Sequence, residues 1–417
     1  MRINSIRNIV YLIIIYQLLI QGILGLFIDG ISVLRIAVDL MIYFFAFFII
    51  LTKNVKVRYF LFPYFILIMG VILSLLVNQV EFESILKQVR FTFIGLAMYI
   101  VLAHSGFTKN DYKKLFNLLF KIGYIQLPIV VLQLLMFDTG LFKNTPADYV
   151  DAGTGTVGFM DSGVTGMYLV MLLIIKFQKA FDSGLTKLDI FQIILLAAPL
   201  GLINSDAQFV FLPVIVVFSL YLNFKLNRKV LSYLLSIVVL TLVANQLLLL
   251  NWSGDRDIKK YISSKIYHLV NTEPNYDPDV KRMLRYDSMR YVVEKSTHDE
   301  WLLGKGTGYW LTRDSEGGDS LITNVWYHAN TLLLAYGELG MLGLLSYVLF
   351  PIVLYFYADK SFWGKVLKIE SVYLFLLLFY QHPLNKLSIV IILMLVVSMY
   401  QAEKNRVFYS VSKINEN

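Results

Sequence analysis

The chain has no cysteine among its 417 residues, so neither a disulfide nor thiolate chemistry is available to it. Charge is scarce as well. Only 16% of residues are charged, against about 25% in an ordinary soluble protein. Histidine occupies five positions, and no cluster of His, Asp and Glu has metal-ligand spacing, so neither a metal nor another cofactor is expected. This polar deficit excludes a soluble enzyme, a nucleic-acid-binding domain and a disordered chain. Apolar residues fill the gap: they make up 57% of the chain, with mean hydropathy +0.65, and gather in blocks such as 60–77 and 230–250. A helix needs about 20 apolar residues to cross a hydrocarbon core roughly 30 Å thick. The first block, 9–28, follows Arg2 and Arg7 but lacks a small-residue cleavage site, so it reads as a span and not a cleaved leader.

Twelve candidate spans emerge, near 9–28, 31–51, 59–78, 88–104, 115–137, 159–175, 188–204, 207–224, 230–250, 328–357, 369–381 and 387–402. They must be helices, because lipid offers no partner to backbone N–H and C=O groups, and the blocks show none of the alternation of a β-barrel strand. The expected fold is therefore an all-α polytopic membrane protein of about 12 transmembrane helices with one large extracytoplasmic loop. Its parts are a bundle of nine spans over 1–250, the loop at 251–327, and three spans with a cytoplasmic tail over 328–417. Lysine and arginine set the orientation. With the N-terminus inside, the inner segments hold 20 basic residues, whereas the short outer ones hold Lys87, Arg90, Lys143 and Lys386. Both termini are thus expected in the cytoplasm, and the net charge of +8 is a topology signal that gives no reason to expect a nucleic-acid partner.

The 77-residue segment 251–327 carries 11 basic and 12 acidic residues. Placed outside, it has no access to ATP, so any chemistry there must draw on a bond already present in the substrate. Asp277-Pro278 opens an expected helix over 279–296. Within it Arg290 has Asp287 and Glu294 at pairing distance, whereas Arg285 has only Lys281, Arg282, Ser288 and Met289. Such a basic face suits an anion, and a guanidinium matches pyrophosphate oxygens in bidentate fashion. Beyond it, Gly304-Lys305-Gly306-Thr307-Gly308 reads as a tight turn beside the substrate, with Lys305 and Arg313 adding positive charge. The loop ends at Trp326-Tyr327-His328-Ala329-Asn330, where an imidazole at a helix start can exchange a proton near neutral pH. Gly337, Gly340 and Gly343 follow as a small-residue stripe for close helix packing, with Glu338 a buried polar element.

Elsewhere, Arg35 and Asp39 stand four apart and are expected to pair as an internal clamp. Lys87 and Arg90, at the outer end of span four, are placed to meet a lipid phosphate. The glycines and small hydroxyls of 151–163 suit either a re-entrant turn or a sugar-facing surface. Asp161 and Asp206 are candidate sugar ligands at outer tips.

This arrangement resembles the O-antigen polymerase and O-antigen ligase superfamily of bacterial membrane enzymes. The resemblance covers the layout of nearly the whole chain and concentrates in residues 285–345. It rests on Arg285 followed nineteen positions later by Gly304-Lys305-Gly306, and on His328-Ala329-Asn330 leading to Glu338-Leu339-Gly340-Met341-Leu342-Gly343. The chain departs from the family pattern where Ala329 separates His328 from Asn330, so either residue is a candidate to face the substrate. The serine-arginine tip frequent in ligases appears as Ser205-Asp206, which favours a polymerase. The resemblance implies an inner-membrane glycosyltransferase of surface polysaccharide synthesis that moves a glycan from undecaprenyl pyrophosphate to a hydroxyl of an incoming lipid-linked repeat unit. Arg285 and His328 would be catalytic. Lys87, Arg90, Arg290, Lys305, Arg313, Asn330, Asp161 and Asp206 would bind substrate, and a flippase and a chain-length regulator would be protein partners. The alternatives are a ligase of the same superfamily and, from another class, a secondary transporter or lipid-linked oligosaccharide flippase.

Overall fold

A computed structural model describes residues 3–28, 32–53, 55, 58–136, 139, 153–157, 161–203, 206–223, 300–309 and 330–415. Among these residues there is no strand. The helices are α1 (Ile3–Ile15), α2 (Gln21–Phe27), α3 (Ser32–Thr52), α4 (Phe62–Val77), α5 (Phe82–His104), α6 (Lys109–Leu135), α7 (Ser162–Ser183), α8 (Lys187–Leu202), α9 (Asp206–Asn223), α10 (Thr331–Tyr357), α11 (Phe362–Leu378) and α12 (Leu387–Asn415). A π-turn, Tyr16–Ile20, fuses α1 and α2 into one span. Among the described residues eight stretches are long and apolar enough to cross a bilayer, so the protein is an all-α, multi-pass membrane protein. Helices α8, α9 and α11 are shorter or less continuously apolar, and the expected span at 230–250 lies outside the described residues.

Several helices begin well before their apolar block because a polar cap carries the first turn out of the hydrocarbon. Thr108 and Asp111 form a reciprocal capping box at the start of α6, as Thr186 and Asp189 do at α8. Ser361 caps α11 by accepting the Gly364 N–H, which places its start seven residues ahead of the expected one. Burial then sorts the helices. The most apolar stretch of α7 is 94% buried and that of α12 is 83% buried, whereas α3 buries only 33%. Helices α7 and α12 therefore form the centre of the bundle. On α3, Leu34, Leu40, Phe44, Phe47 and Leu51 face outward to lipid.

Two irregular segments are inserted into this bundle, and both obey the rule that backbone leaving a helix must find partners inside the protein. The first is the turn 153–157, so the re-entrant reading of this glycine-rich stretch holds for these residues. Gln126 of α6 accepts the Thr156 N–H (2.8 Å) and donates to the Thr156 hydroxyl (2.9 Å). Gln133, two turns further on, accepts the Gly155 N–H (2.7 Å) and donates to the Gly155 carbonyl (3.1 Å). The Thr156 hydroxyl donates to the carbonyl of Leu18 in the π-turn (2.7 Å). Two glutamines seven residues apart, costly in a lipid-facing helix, thus form the seat of the turn.

The second insertion is 300–309, which enters a break in α10. Gly340 has φ +59° and ψ −144°, which interrupts the helix. A continuous helix would join the Met341 N–H to the Gly337 carbonyl. Here Met341 N–H donates to the Trp301 carbonyl (2.8 Å), and the Gly337 carbonyl accepts the Lys305 N–H (2.8 Å). The Glu338 carbonyl accepts the Gly306 N–H (3.0 Å). The contact is close enough to exclude side chains: a Cβ on Gly340 would fall 2.3 Å from the Leu302 carbonyl carbon, and one on Gly304 would fall 2.5 Å from that of Glu338. This corrects the expected small-residue stripe. Gly340 is the hinge of a broken helix, and Gly343 tucks under the Ala335 carbonyl of the same helix.

Connectivity gives the bundle two ends of different charge. The end holding the 300–309 turn displays Arg35, Lys87, Arg90, Lys305 and Lys386 among the described residues. The other end collects Arg7, Lys53, Arg58, Lys109, Lys113, Lys114, Lys176, Lys179, Lys187, Lys360, Lys365, Lys368 and Lys404.

The α10 break predicts a contrast between two glycines of positive φ. Gly340→Ala is expected to lower stability by roughly 2–4 kcal/mol, combining backbone strain with a clash against Leu302. Gly184→Ala at the end of α7, with φ +78° and open space around it, should cost about 1–2 kcal/mol. Thermal unfolding of the detergent-purified variants checks the order, which reverses if α10 is continuous.

Candidate functional site

The polar groups that α3, α5, α7, α10 and α12 carry at the 300–309 end form one district. Asp161 caps α7 by accepting the Val164 N–H (3.2 Å), and its other oxygen accepts from the Lys386 ammonium (2.7 Å). One ion pair therefore ties together the starts of the two central helices. Burial alone would push the Asp161 carboxyl up, but the Lys386 ammonium and the N–H groups of Val164 and Gly163 outweigh it and hold the group below the usual carboxylate range. Asn330 is buried and caps α10, its Oδ1 accepting the Leu333 N–H (3.0 Å). The next residue, Thr331, donates from its hydroxyl to the Gln381 carbonyl (2.5 Å), so the start of α10 is fastened to the end of α11.

The described cations at this end are placed as follows. Lys87 pairs with Glu83 one turn earlier on α5 (2.6 Å) in an exposed position. Arg90 reaches Asp39 on α3 (3.5 Å), and its guanidinium lies 4.6 Å above the Phe91 ring. Asp39 is thus in ion-pair contact with Arg90, while Arg35 on its own helix acts on the same carboxylate from beyond 4.0 Å, so the expected clamp is shared between α3 and α5. Lys305 pairs with Glu300 (3.1 Å) and sits 5.4 Å over the Tyr309 ring. Asp206 is the first residue of α9, at the same end. Arg285, Arg290, Arg313 and His328 lie outside the described residues, as does the expected helix over 279–296. Among the described residues no group of three or more His, Asp and Glu stands close enough to hold a metal ion.

No family model matches this chain. A search of characterised proteins likewise finds no match, so the resemblance drawn from the sequence rests on its own motifs and layout.

A small cavity of about 10 Å³, room for about one water, lies between α4, α5 and α10, lined by Tyr64, Leu67, Thr92, Tyr347, Phe350 and Leu384. Glu338, 1% exposed, lies in the α10 break, with its Oε1 buried and without a hydrogen-bond partner among the described residues. On the far side of the inserted turn Ser74 accepts the Thr307 N–H (3.0 Å), and the Asn78 amide donates to the Gly304 carbonyl (3.4 Å). Sequence reasoning missed Ser74, Asn78 and Lys386 as anchors. Lys386 had a usable signal: a lysine in a short outer turn runs against the positive-inside trend and needs a local reason.

The Asp161–Lys386 pair sets a pH dependence. Because the folded carboxyl titrates below its unfolded value of about 3.9, the stabilisation is complete above that pH and fades as pH falls through the lower folded value. Asp161→Asn is expected to melt below wild type at pH 6–7, with the gap closing under acid conditions below about pH 4. Melting curves over that range check it. A gap that widens in acid contradicts the assignment.

Proposed function

We propose that this protein is a polysaccharide polymerase that transfers a glycan from undecaprenyl pyrophosphate to a hydroxyl of an incoming lipid-linked repeat unit. In this reading the chain crosses a bacterial inner membrane twelve times with both termini in the cytoplasm, and the 300–309 end faces outward. The observation that supports it most is the insertion of 300–309 into the α10 break. It draws part of the long polar loop onto the same end of the bundle as Asp161, Lys386, Arg90 and the Asn330 cap.

The chemistry is a substitution at the anomeric carbon. The acceptor oxygen forms the new C–O bond, the bond to the pyrophosphate oxygen breaks, and its electron pair leaves on the pyrophosphate. Arg285 stabilises the charge that develops on that leaving group. Arg290, Arg313, Lys87, Arg90 and Lys305 add to the positive field, the last three in competition with Glu83, Asp39 and Glu300. His328 takes the proton of the acceptor hydroxyl. Asp161 and Asp206 bind sugar hydroxyls at the rim. Asn330, whose amide oxygen caps α10, fixes the helix start two residues beyond His328. A flippase that supplies repeat units and a chain-length regulator are the partners such a reaction needs.

Arg285→Ala and His328→Ala are each expected to leave the amount of membrane-inserted protein unchanged and to abolish long polymer while single-repeat material persists. Gel profiles of surface glycan from complemented deletion strains provide the measurement. Normal chain lengths from both variants would sink the proposal, and full-length polymer left unattached in the deletion strain would point to a ligase.

A further inference from the structure

Charge accounting at the 300–309 end leaves one cation over. Four of the five described cations have a carboxylate within ion-pair distance: Lys87 with Glu83, Arg90 with Asp39, Lys305 with Glu300 and Lys386 with Asp161. Arg35, in the first turn of α3, has none within 4.0 Å among the described residues. It is half-buried, and its Nε is fully buried with no hydrogen-bond partner. Asp39, Asp161 and Arg90 all act on its charge, so it stands among them without being neutralised. Its guanidinium lies 5.7 Å over the same Phe91 ring that Arg90 covers at 4.6 Å.

Two guanidinium groups around one aromatic ring repel each other, and a half-buried cation whose Nε lacks a hydrogen bond is costly at the end of a membrane span. Among the described residues Arg35, Arg90 and Lys386 set three positive charges against Asp39 and Asp161, a local excess of one positive charge in the first turn of a candidate span. A planar guanidinium fork matches the tetrahedral oxygens of phosphate better than any other anion a membrane surface presents.

We infer that Arg35, assisted by Arg90, forms a binding site for a membrane-borne phosphate group. Both a phospholipid headgroup and a polyprenyl pyrophosphate present this chemistry. The site stands on the geometry of α3 and α5 and does not depend on the glycan-transfer reading.

The test uses purified full-length protein in nanodiscs of phosphatidylcholine alone, with added phosphatidylglycerol, or with added undecaprenyl pyrophosphate, and native mass spectrometry reads the retained lipid. Wild type should retain one anionic phosphate lipid in preference to phosphatidylcholine, whose phosphate is offset by its choline, in at least one of the two loaded discs. Arg35→Gln should weaken that retention about tenfold or more, the scale of a lost charge-assisted hydrogen bond. Arg35→Lys should restore part of it. Lys360→Gln, an exposed lysine at the opposite end, should leave it unchanged. The disc that responds identifies the source of the phosphate. Asp39→Asn provides a gain of function that misfolding cannot mimic: removing a carboxylate raises the local excess to two, so retention should tighten. Arg35-independent retention in both discs, or unchanged or weaker binding by Asp39→Asn, overturns the site and leaves Arg35 as a solvated partner of Asp39. Arg35-dependent retention combined with normal polymer from the His328 and Arg285 variants would keep the phosphate site and remove the polymerase.

Discussion

The structure depends on a single exchange of backbone hydrogen bonds. At Gly340 a membrane helix breaks, and the amide and carbonyl that the helix would have joined are taken up by Trp301 and Lys305 of a distant segment. In hydrocarbon an unsatisfied peptide group costs several kcal/mol, so break and insertion require each other. Without the segment, α10 would have to straighten. Without the break, 300–309 would have no buried partners for its own backbone. The neighbouring contacts of Ser74 with Thr307 and of Asn78 with Gly304 fill in around that exchange. The 153–157 turn repeats the principle, with Gln126 and Gln133 replacing the missing backbone partners.

These insertions give one end of the bundle its chemical character. Helices α7 and α12, the most enclosed, present their starts there and are joined by Asp161 and Lys386. Around them stand the caps of α10 and α7 and the ring of Phe91 between two arginines. The opposite end, richer in lysine, is built differently. Its cations anchor helix ends, as when Lys53 donates to the His104 carbonyl (2.7 Å) or Lys179 meets Asp189 (2.8 Å).

The helices were legible in the sequence because lipid leaves the chain little choice, and apolar blocks of span length announced themselves. Each expected span that falls within the described residues coincides with a helix. Boundaries were less legible. Capping residues such as Thr108 and Ser361 prolong helices beyond the apolar run, and periodicity of hydrophobic residues does not register them. The break in α10 was hidden for a different reason. Three glycines at spacing three also describe ordinary close packing, and only positive φ at Gly340 separates the two cases. Asp39 shows the same limit for charge. Its helical neighbour Arg35 was the local choice and does act on it, but the closest ion-pair contact comes from α5. Of the candidate site, the sequence located the end of the bundle and several of its cations, while the anchoring contacts of Ser74, Asn78 and Lys386 needed the tertiary structure.

The absence of cysteine makes the central claim directly testable, since any introduced pair reacts against a silent background. The hydroxyls of Ser74 and Thr307 lie 3.4 Å apart, 233 residues distant in sequence. With Cys at both positions, mild oxidation of intact membranes should cross-link nearly all of the protein, visible as a gel shift that reductant reverses. A Ser74→Cys, Thr52→Cys pair spanning opposite ends of the bundle should not react. Failure of the Ser74–Thr307 pair to cross-link in protein that is otherwise folded would show that the glycine turn does not occupy the α10 break.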